Sequence, residues 1–282
     1  MDHSARMQNL TDPNAFSSKM TPSVQRAAKI ARSLEGRVAN TPKASEETAV
    51  KQALTEADSR AQEEILKALL EHYPTVSLEA EEDTASVAAF GSGSDSLVII
   101  DPIDGTLQSY LEGLGPYSVI VGLAVERCMH SALVALPRED LLYRGTRGAG
   151  AEVIEASASP RRVEACADGD DFIVSHSVPQ EIRAALEAEG LRVTPASGGV
   201  VSIAPLLSGV RGGVRLAAAE NKAGLSVRGR AGLVIAREAG ACVRGRDGYP
   251  FPEDLDTPAW LVSSTALEED EELIRRILGR FM

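Results

Sequence analysis

The sequence predicts an α/β (α+β) fold in two subdomains, on three observations. Two amphipathic helical stretches precede any strand, the apolar run Val98-Ile99-Ile100 stops at Asp101-Pro102, and strand-like and helix-like segments alternate beyond Phe172. At about 150 residues per domain, a chain of 282 residues holds one large or two modest domains, each able to bury a core.

Residues 1–20 are polar and aperiodic and are expected to form a loose, disordered tail. Order is expected from Thr21-Pro22-Ser23, a cap residue followed by proline at the first helical position. Val24, Ala27, Ala28, Ala31, Leu34 and Val38 then recur at helical spacing. Asn40–Glu47 breaks that period, and a second helix is expected over Ala57–His72, with Ala61, Ile65, Leu66, Leu69 and Leu70 inward. The run from Leu97 reads as a buried strand, followed by strands at Tyr117–Val125 and Ser131–Leu136 and a glycine-rich turn at Gly145–Gly150. These elements define a first subdomain, 21–157. A second, 158–282, reads as strand Phe172–Ser175, helices Gln180–Glu189 and Val200–Leu207, strand Gly213–Leu216, helix Gly229–Ala239, strand Trp260–Ser263 and helix Ala266–Arg280.

The charge balance is 29 basic against 41 acidic side chains, a net −12, which disfavours nucleic acid and anionic membrane surfaces as partners. A phosphate ligand would need a local cation. Cys128, Cys166 and Cys242 are odd in number and have no C-x-x-C spacing, so neither a disulfide framework nor a thiolate zinc site is indicated, and a reducing cytoplasm fits best. The first residues contain no apolar targeting segment, and no stretch reaches the roughly 20 apolar residues of a membrane span. The four histidines, His3, His72, His130 and His176, are at no ligand spacing. There is no G-x-S-x-G elbow, H-E-x-x-H pair or phosphate-binding G-x-x-x-x-G-K loop.

Carboxylates remain. Asp101-Pro102-Ile103-Asp104-Gly105-Thr106 follows the apolar run directly, and a sharp turn at Pro102 and Gly105 would let Asp101, Asp104 and the Ile103 carbonyl converge as hard oxygen donors suited to Mg²⁺. Upstream are the acidic run Glu79–Asp83 and Thr55-Glu56-Ala57-Asp58; a solvated surface is the commoner meaning of the former taken alone.

Together, Thr55–Asp58, Glu81-Glu82 and Asp101–Thr106 resemble the T-x-x-D, Glu-Glu and D-P-[IL]-D-G-T segments of the inositol monophosphatase family of Mg²⁺-dependent, lithium-sensitive phosphatases. The likeness continues through Gly122-Leu123-Ala124, Gly148–Ala151 and Arg237-Glu238-Ala239-Gly240. It implies a layered αβαβα sandwich of the sugar-phosphatase type with the active site between its subdomains. By the same resemblance, Glu81, Asp101 and the Ile103 carbonyl hold a first Mg²⁺, and Asp101 with Asp104 a second, with Glu82 assisting. Two such ions about 4 Å apart can clamp an anionic ester and activate water. Thr106 would hold the attacking water, Asp58 would accept its proton, and the Gly105 and Thr106 amides would cradle phosphate. The partner implied is a small phosphorylated metabolite, and the resemblance also allows a homodimer.

Two segments depart from the family pattern. Where Trp-Asp is usual, this chain has Val227-Arg228, so an expected carboxylate of the second metal is replaced by a cation that never deprotonates. Either Glu220 replaces that ligand, or an insertion at Glu220–Ser226 shifts the register, or Arg228 clamps phosphate itself, favouring a more anionic substrate. Ser197-Gly198-Gly199 and Gln108-Ser109-Tyr110 also differ from the usual residues, touching substrate recognition. Inositol phosphates, related sugar phosphates, fructose 1,6-bisphosphate and 3′-phosphoadenosine 5′-phosphate all stay open. The alternative is a weakened or non-catalytic member that binds a phosphorylated ligand. A haloacid-dehalogenase reading fails, because Pro102 stands where its nucleophilic aspartate is needed.

Overall fold

The computed structural model describes residues 12–43, 54–156, 158–217 and 224–281. Helix α1 spans Pro13–Leu34 and starts nine residues earlier than the expected first position, Pro22. The cap and proline signal occurs twice, and the first occurrence starts the helix: the Asp12 carboxylate accepts the Asn14 N–H and Pro13 sits in the first turn. Pro22 lies inside α1, and Phe16 and Met20 are fully buried, so residues 13–20 form a helical segment packed on the core by one face and not a tail. Residues 1–11 lie outside the described residues. Helix α2 covers Glu56–His72.

The first sheet has seven strands in sequential order: β1 Ser77–Ala80, β2 Ser96–Asp104, β3 Ser118–Val125, β4 Cys128–Leu136, β5 Leu141–Thr146, β6 Gly150–Glu155 and β7 Arg161–Arg162. Only β1 and β2 run parallel; the others form an antiparallel meander. The first half is therefore a mainly antiparallel sheet, and the segment read as one glycine-rich turn is the end of β5, a tight turn and the start of β6.

The second sheet contains β8 Asp171–Ser175, β9 Arg192–Ala196, β10 Val210–Leu216, β11 Cys242–Gly245 and β12 Leu261–Thr265 in the order β11-β12-β10-β8-β9. Helices α3 (Gln180–Ala188), α4 (Gly198–Ser202), α5 (Leu233–Glu238) and α6 (Glu268–Leu278) complete the chain. The helix read over Val200–Leu207 is the short α4 plus a 3-10 turn, and that read over Gly229–Ala239 is a 3-10 turn at Arg228–Arg230 followed by α5.

Strand alternation sorts these elements into five layers. From β2, Val98 and Ile100 face α1 and α2, packing with Phe16, Met20, Ile65 and Leu66. Ile99 faces the opposite way, into a central layer where Val200, Val201 and Ile235 of α4 and α5 meet Ile173 and Val262 of the second sheet. The outer face of that sheet, Phe172, Val174 and Val214, buries against Ile182 of α3 and Ile274 of α6. The order is helix, sheet, helix, sheet, helix. Glu238 ties α5 to the first sheet, accepting the Gly148 and Gly150 N–H groups at 2.9 and 2.8 Å, which gives the late Glu-Ala-Gly segment a structural role.

Candidate active site

Strand β2 brings the acidic segment to one edge of the central layer. Against β3, Asp101 pairs with Ile120 and Asp104 with Ser118, so three steps on one strand oppose two on the other. That bulge bends β2 through Pro102, and the strand continues to Asp104 instead of ending at Asp101. Gly105 then takes a left-handed φ of 94°, and a Cβ there would lie 2.8 Å from that of Ser197. Its carbonyl accepts from the Ser109 and Tyr110 N–H groups, opening a π-helix over Thr106–Leu111.

The Thr55–Asp58 segment is the capping box of α2. The Thr55 hydroxyl accepts the Ala57 N–H, and the Asp58 Oδ2 accepts from the Thr55 N–H at 2.8 Å and the Thr55 hydroxyl at 2.6 Å. This leaves Asp58 Oδ1 facing the Thr106 hydroxyl at 3.0 Å, with the Ile103 carbonyl 2.8 Å from that same hydroxyl. The single Thr106 proton can serve only one of these acceptors at a time. Asp58 is fully buried. Burial pushes its pKa up to about 6, against the hydrogen bonds from Thr55 and Thr106.

Glu81 and Glu82 follow β1 and point to different partners. Glu82 pairs with Lys43 at 2.7 Å, while its backbone is held by the Gln62 amide; burial lifts its pKa to about 7 although Lys43 opposes this. Glu81 turns toward Asp101. Burial, then Glu81 and Asp104, raise the Asp101 pKa well above the carboxylate range. Glu81 Oε2 and Asp101 Oδ1 are buried without a hydrogen-bond partner. Asp104 is held on the other side by the Gly199 N–H at 2.6 Å and the Ser118 hydroxyl at 3.2 Å.

Arg228 reaches the same place from the 3-10 turn: Nη2 lies 3.6 Å from Glu81 and Nε 3.7 Å from Asp101. Burial opposes its charge, but Glu81 and Asp101 outweigh that and raise its pKa. Glu220 lies outside the described residues. The structure thus gathers Asp58, Glu81, Asp101, Ile103, Asp104, Gly105, Thr106 and Arg228, while Glu82 is turned aside to Lys43.

One residue escaped the sequence reading. Arg215 on β10 places its guanidinium against Gly198 and Gly229; a Cβ at Gly198 would lie 2.7 Å from Cζ, and one at Gly229 2.2 Å from Nη1. Burial lowers its pKa, Asp104 and Asp101 oppose that, and Arg228 adds to it. The glycines at 198 and 229, next to two of the departures from the family pattern, were the available signal.

A model of the inositol monophosphatase family matches residues 17–278. The chain belongs to this family. Curated relatives include a histidinol-phosphatase of Chlorobaculum parvum, 36% identical over 41% of this chain and 41% of the relative. A fructose-1,6-bisphosphatase/inositol-1-monophosphatase of Aquifex aeolicus is 35% identical over 38% and 39%. Inositol monophosphatase 2 of Mus musculus is 30% identical over 45% and 44%. The chain thus aligns with about two-fifths of the length of these relatives. Among solved structures, the IMPase of Thermotoga maritima superposes with a TM-score of 0.69 at 20% identity, covering 95% of this chain and all of that one. The inositol monophosphatase of Anabaena gives 0.69 at 19%, covering 96% and 97%, so the layered fold is that of the family.

Family membership raises the question of a divalent cation. Among the described residues no three His, Cys, Asp or Glu side chains are grouped to hold a metal ion. Glu81 and Asp101 are a pair, and their two orphaned oxygens are hard donors that fit one such ion, while the Ile103 carbonyl on the same bend of β2 accepts from the Thr106 hydroxyl. A second does not fit equally. Arg228 stands where a further carboxylate was expected, and Asp104 Oδ2 already accepts two hydrogen bonds. No described helix is long and apolar enough to cross a membrane.

Proposed function

We propose that the protein is a phosphoric monoester hydrolase that cleaves a small phosphorylated metabolite with an attacking water and no covalent intermediate. The observation that carries this reading is the 3.0 Å contact between the Thr106 hydroxyl and Asp58, set beside the unpartnered oxygens of Glu81 and Asp101. Glu81, Asp101 and the Ile103 carbonyl would hold one Mg²⁺, which when bound supplies positive charge to the phosphoryl oxygens and acidifies water.

The remaining work falls to the chain. Thr106 orients the water through its hydroxyl oxygen while donating its own proton to Asp58. Asp58, its pKa pushed up to about 6 by burial and its Oδ2 held by Thr55, takes the Thr106 proton as the Thr106 oxygen takes the one that the water loses, so one proton passes through the hydroxyl to the carboxylate. The amides that open the π-helix, Gly105 and Thr106, face the phosphate, and Arg228 adds a fixed cation on its far side.

The relatives' names cover histidinol phosphate, fructose 1,6-bisphosphate and inositol phosphates. The test is phosphate release from these, from 3′-phosphoadenosine 5′-phosphate and from other sugar monophosphates, at saturating Mg²⁺ with and without EDTA. EDTA-sensitive turnover of one compound supports the reading. Absence of turnover across the panel in a protein that binds Mg²⁺ moves the weight to a family member that only binds its ligand.

A further inference from the structure

We propose that Arg215 and Arg228 form a fixed cationic subsite that binds a phosphate group even when no divalent cation is present. The proposal rests on the reading above that the ligand carries a phosphate ester, and it assigns part of that ligand's recognition to two residues on different elements, a strand and a 3-10 turn.

The two guanidinium groups approach the same carboxylates from different elements. Arg228 comes from a 3-10 turn and lies 3.6 Å from Glu81 and 3.7 Å from Asp101. Arg215 comes from β10 and feels the charges of Asp104, Asp101 and Arg228. Their donors are not spent on these neighbours. Arg228 stands beyond hydrogen-bond length from both carboxylates. Its Nε and the Nη1 of Arg215 are buried with no hydrogen-bond partner. Buried donors are nearly always satisfied, so two orphans on adjacent cations mark the place of an acceptor that arrives from outside. Had the arginines served only to neutralise the carboxylates, charge-assisted hydrogen bonds near 2.8 Å would be expected, as at Lys43 and Glu82.

The backbone is shaped around this arrangement. Gly198 and Gly229 flank the Arg215 guanidinium closely enough that any side chain at either position would collide with it. Gly199, beside Gly198, donates its N–H to Asp104, and Gly229 follows Arg228 directly. Two planar forks that stay charged at any working pH match the tetrahedral oxygens of phosphate better than a hydrated ammonium would. In a chain of net charge −12, such a local cation is what an anionic ligand requires.

The test is calorimetric titration of inorganic phosphate into the full chain in excess EDTA at constant ionic strength, with chloride as the control anion. The wild type is expected to bind phosphate and gain thermal stability from it. R228Q should weaken binding about tenfold or more, the scale of one charge-assisted hydrogen bond. R215K, which keeps the charge and loses the fork, should weaken it severalfold with an unchanged circular dichroism spectrum. Failure of the EDTA-treated wild type to bind phosphate overturns the proposal, and so does unchanged affinity in both variants. Phosphate binding in EDTA without hydrolysis of any ester in Mg²⁺ sinks the hydrolytic reading and leaves the subsite standing. Hydrolysis in Mg²⁺ with no EDTA-resistant binding does the reverse.

Discussion

The half of the site built from the first sheet and α2 is made of oxygen, whereas the half built from β10, α4 and the 3-10 turn is made of nitrogen. In the first, Asp58, Glu81, Asp101, Asp104 and Thr106 crowd around the bulge in β2, and Asp101 resists ionisation because it is buried and because Glu81 and Asp104 are close. In the second, Arg215 and Arg228 face those carboxylates with donors unspent. Carboxylates of one sign do not pack this tightly without a cation, and the chain itself supplies two. On the proposed reading, the contrast teaches that a site can hold one divalent cation on carboxylates and supply the rest of its positive charge from fixed arginines.

Removing the carboxylate at the centre should have the largest effect. Asp101→Asn is expected to abolish Mg²⁺-dependent phosphate release while leaving the unfolding temperature equal or higher, because a buried, repelled charge is gone. Hydrolysis at the wild-type rate in this variant would show that Asp101 holds no cation. Asp58→Asn comes next, with an expected loss of about 10²–10⁴ in kcat. Because burial raises the Asp58 pKa to about 6, the base form fills as pH rises through that value. The wild-type rate should therefore climb toward neutrality on one proton, and that limb should vanish in the variant.

On the nitrogen side, Arg228→Asp removes a cation 3.6 Å from Glu81 and adds a carboxylate. Mg²⁺ affinity measured by calorimetry should tighten about tenfold or more, and phosphate affinity in EDTA should fall. Equal Mg²⁺ affinity would place Arg228 outside the metal's field. The smallest effect is structural: Gly229→Ala forces Arg215 aside and should destabilise the fold by about 1–3 kcal/mol in urea unfolding.

What could be read from the sequence follows the same division. Asp101–Thr106 stood out because its donors are contiguous and one bulge brings them together, whereas Thr55–Asp58 stood out only through the family resemblance and its capping box came from the structure. The layer order followed from resemblance and the helix faces from periodicity. Arg215 was not legible: it lies in a glycine-flanked strand and meets Arg228 only after β10 pairs with β8 and β12. The start of α1 was missed because Asp12-Pro13 and Thr21-Pro22 carry the same local signal, and only the burial of Phe16 and Met20 against the first sheet decides between them. Strands β9 and β11 are short and lack a clear apolar alternation, so tertiary pairing alone defines them.

On the reading proposed above, one divalent cation and two arginines share this site. The measurement that tests it most directly is the stoichiometry of Mg²⁺ binding to the metal-free wild-type chain by calorimetry, repeated with Asp101→Asn. One ion per chain is expected, lost in the variant. Two ions per chain, or one that survives the loss of Asp101, would contradict it.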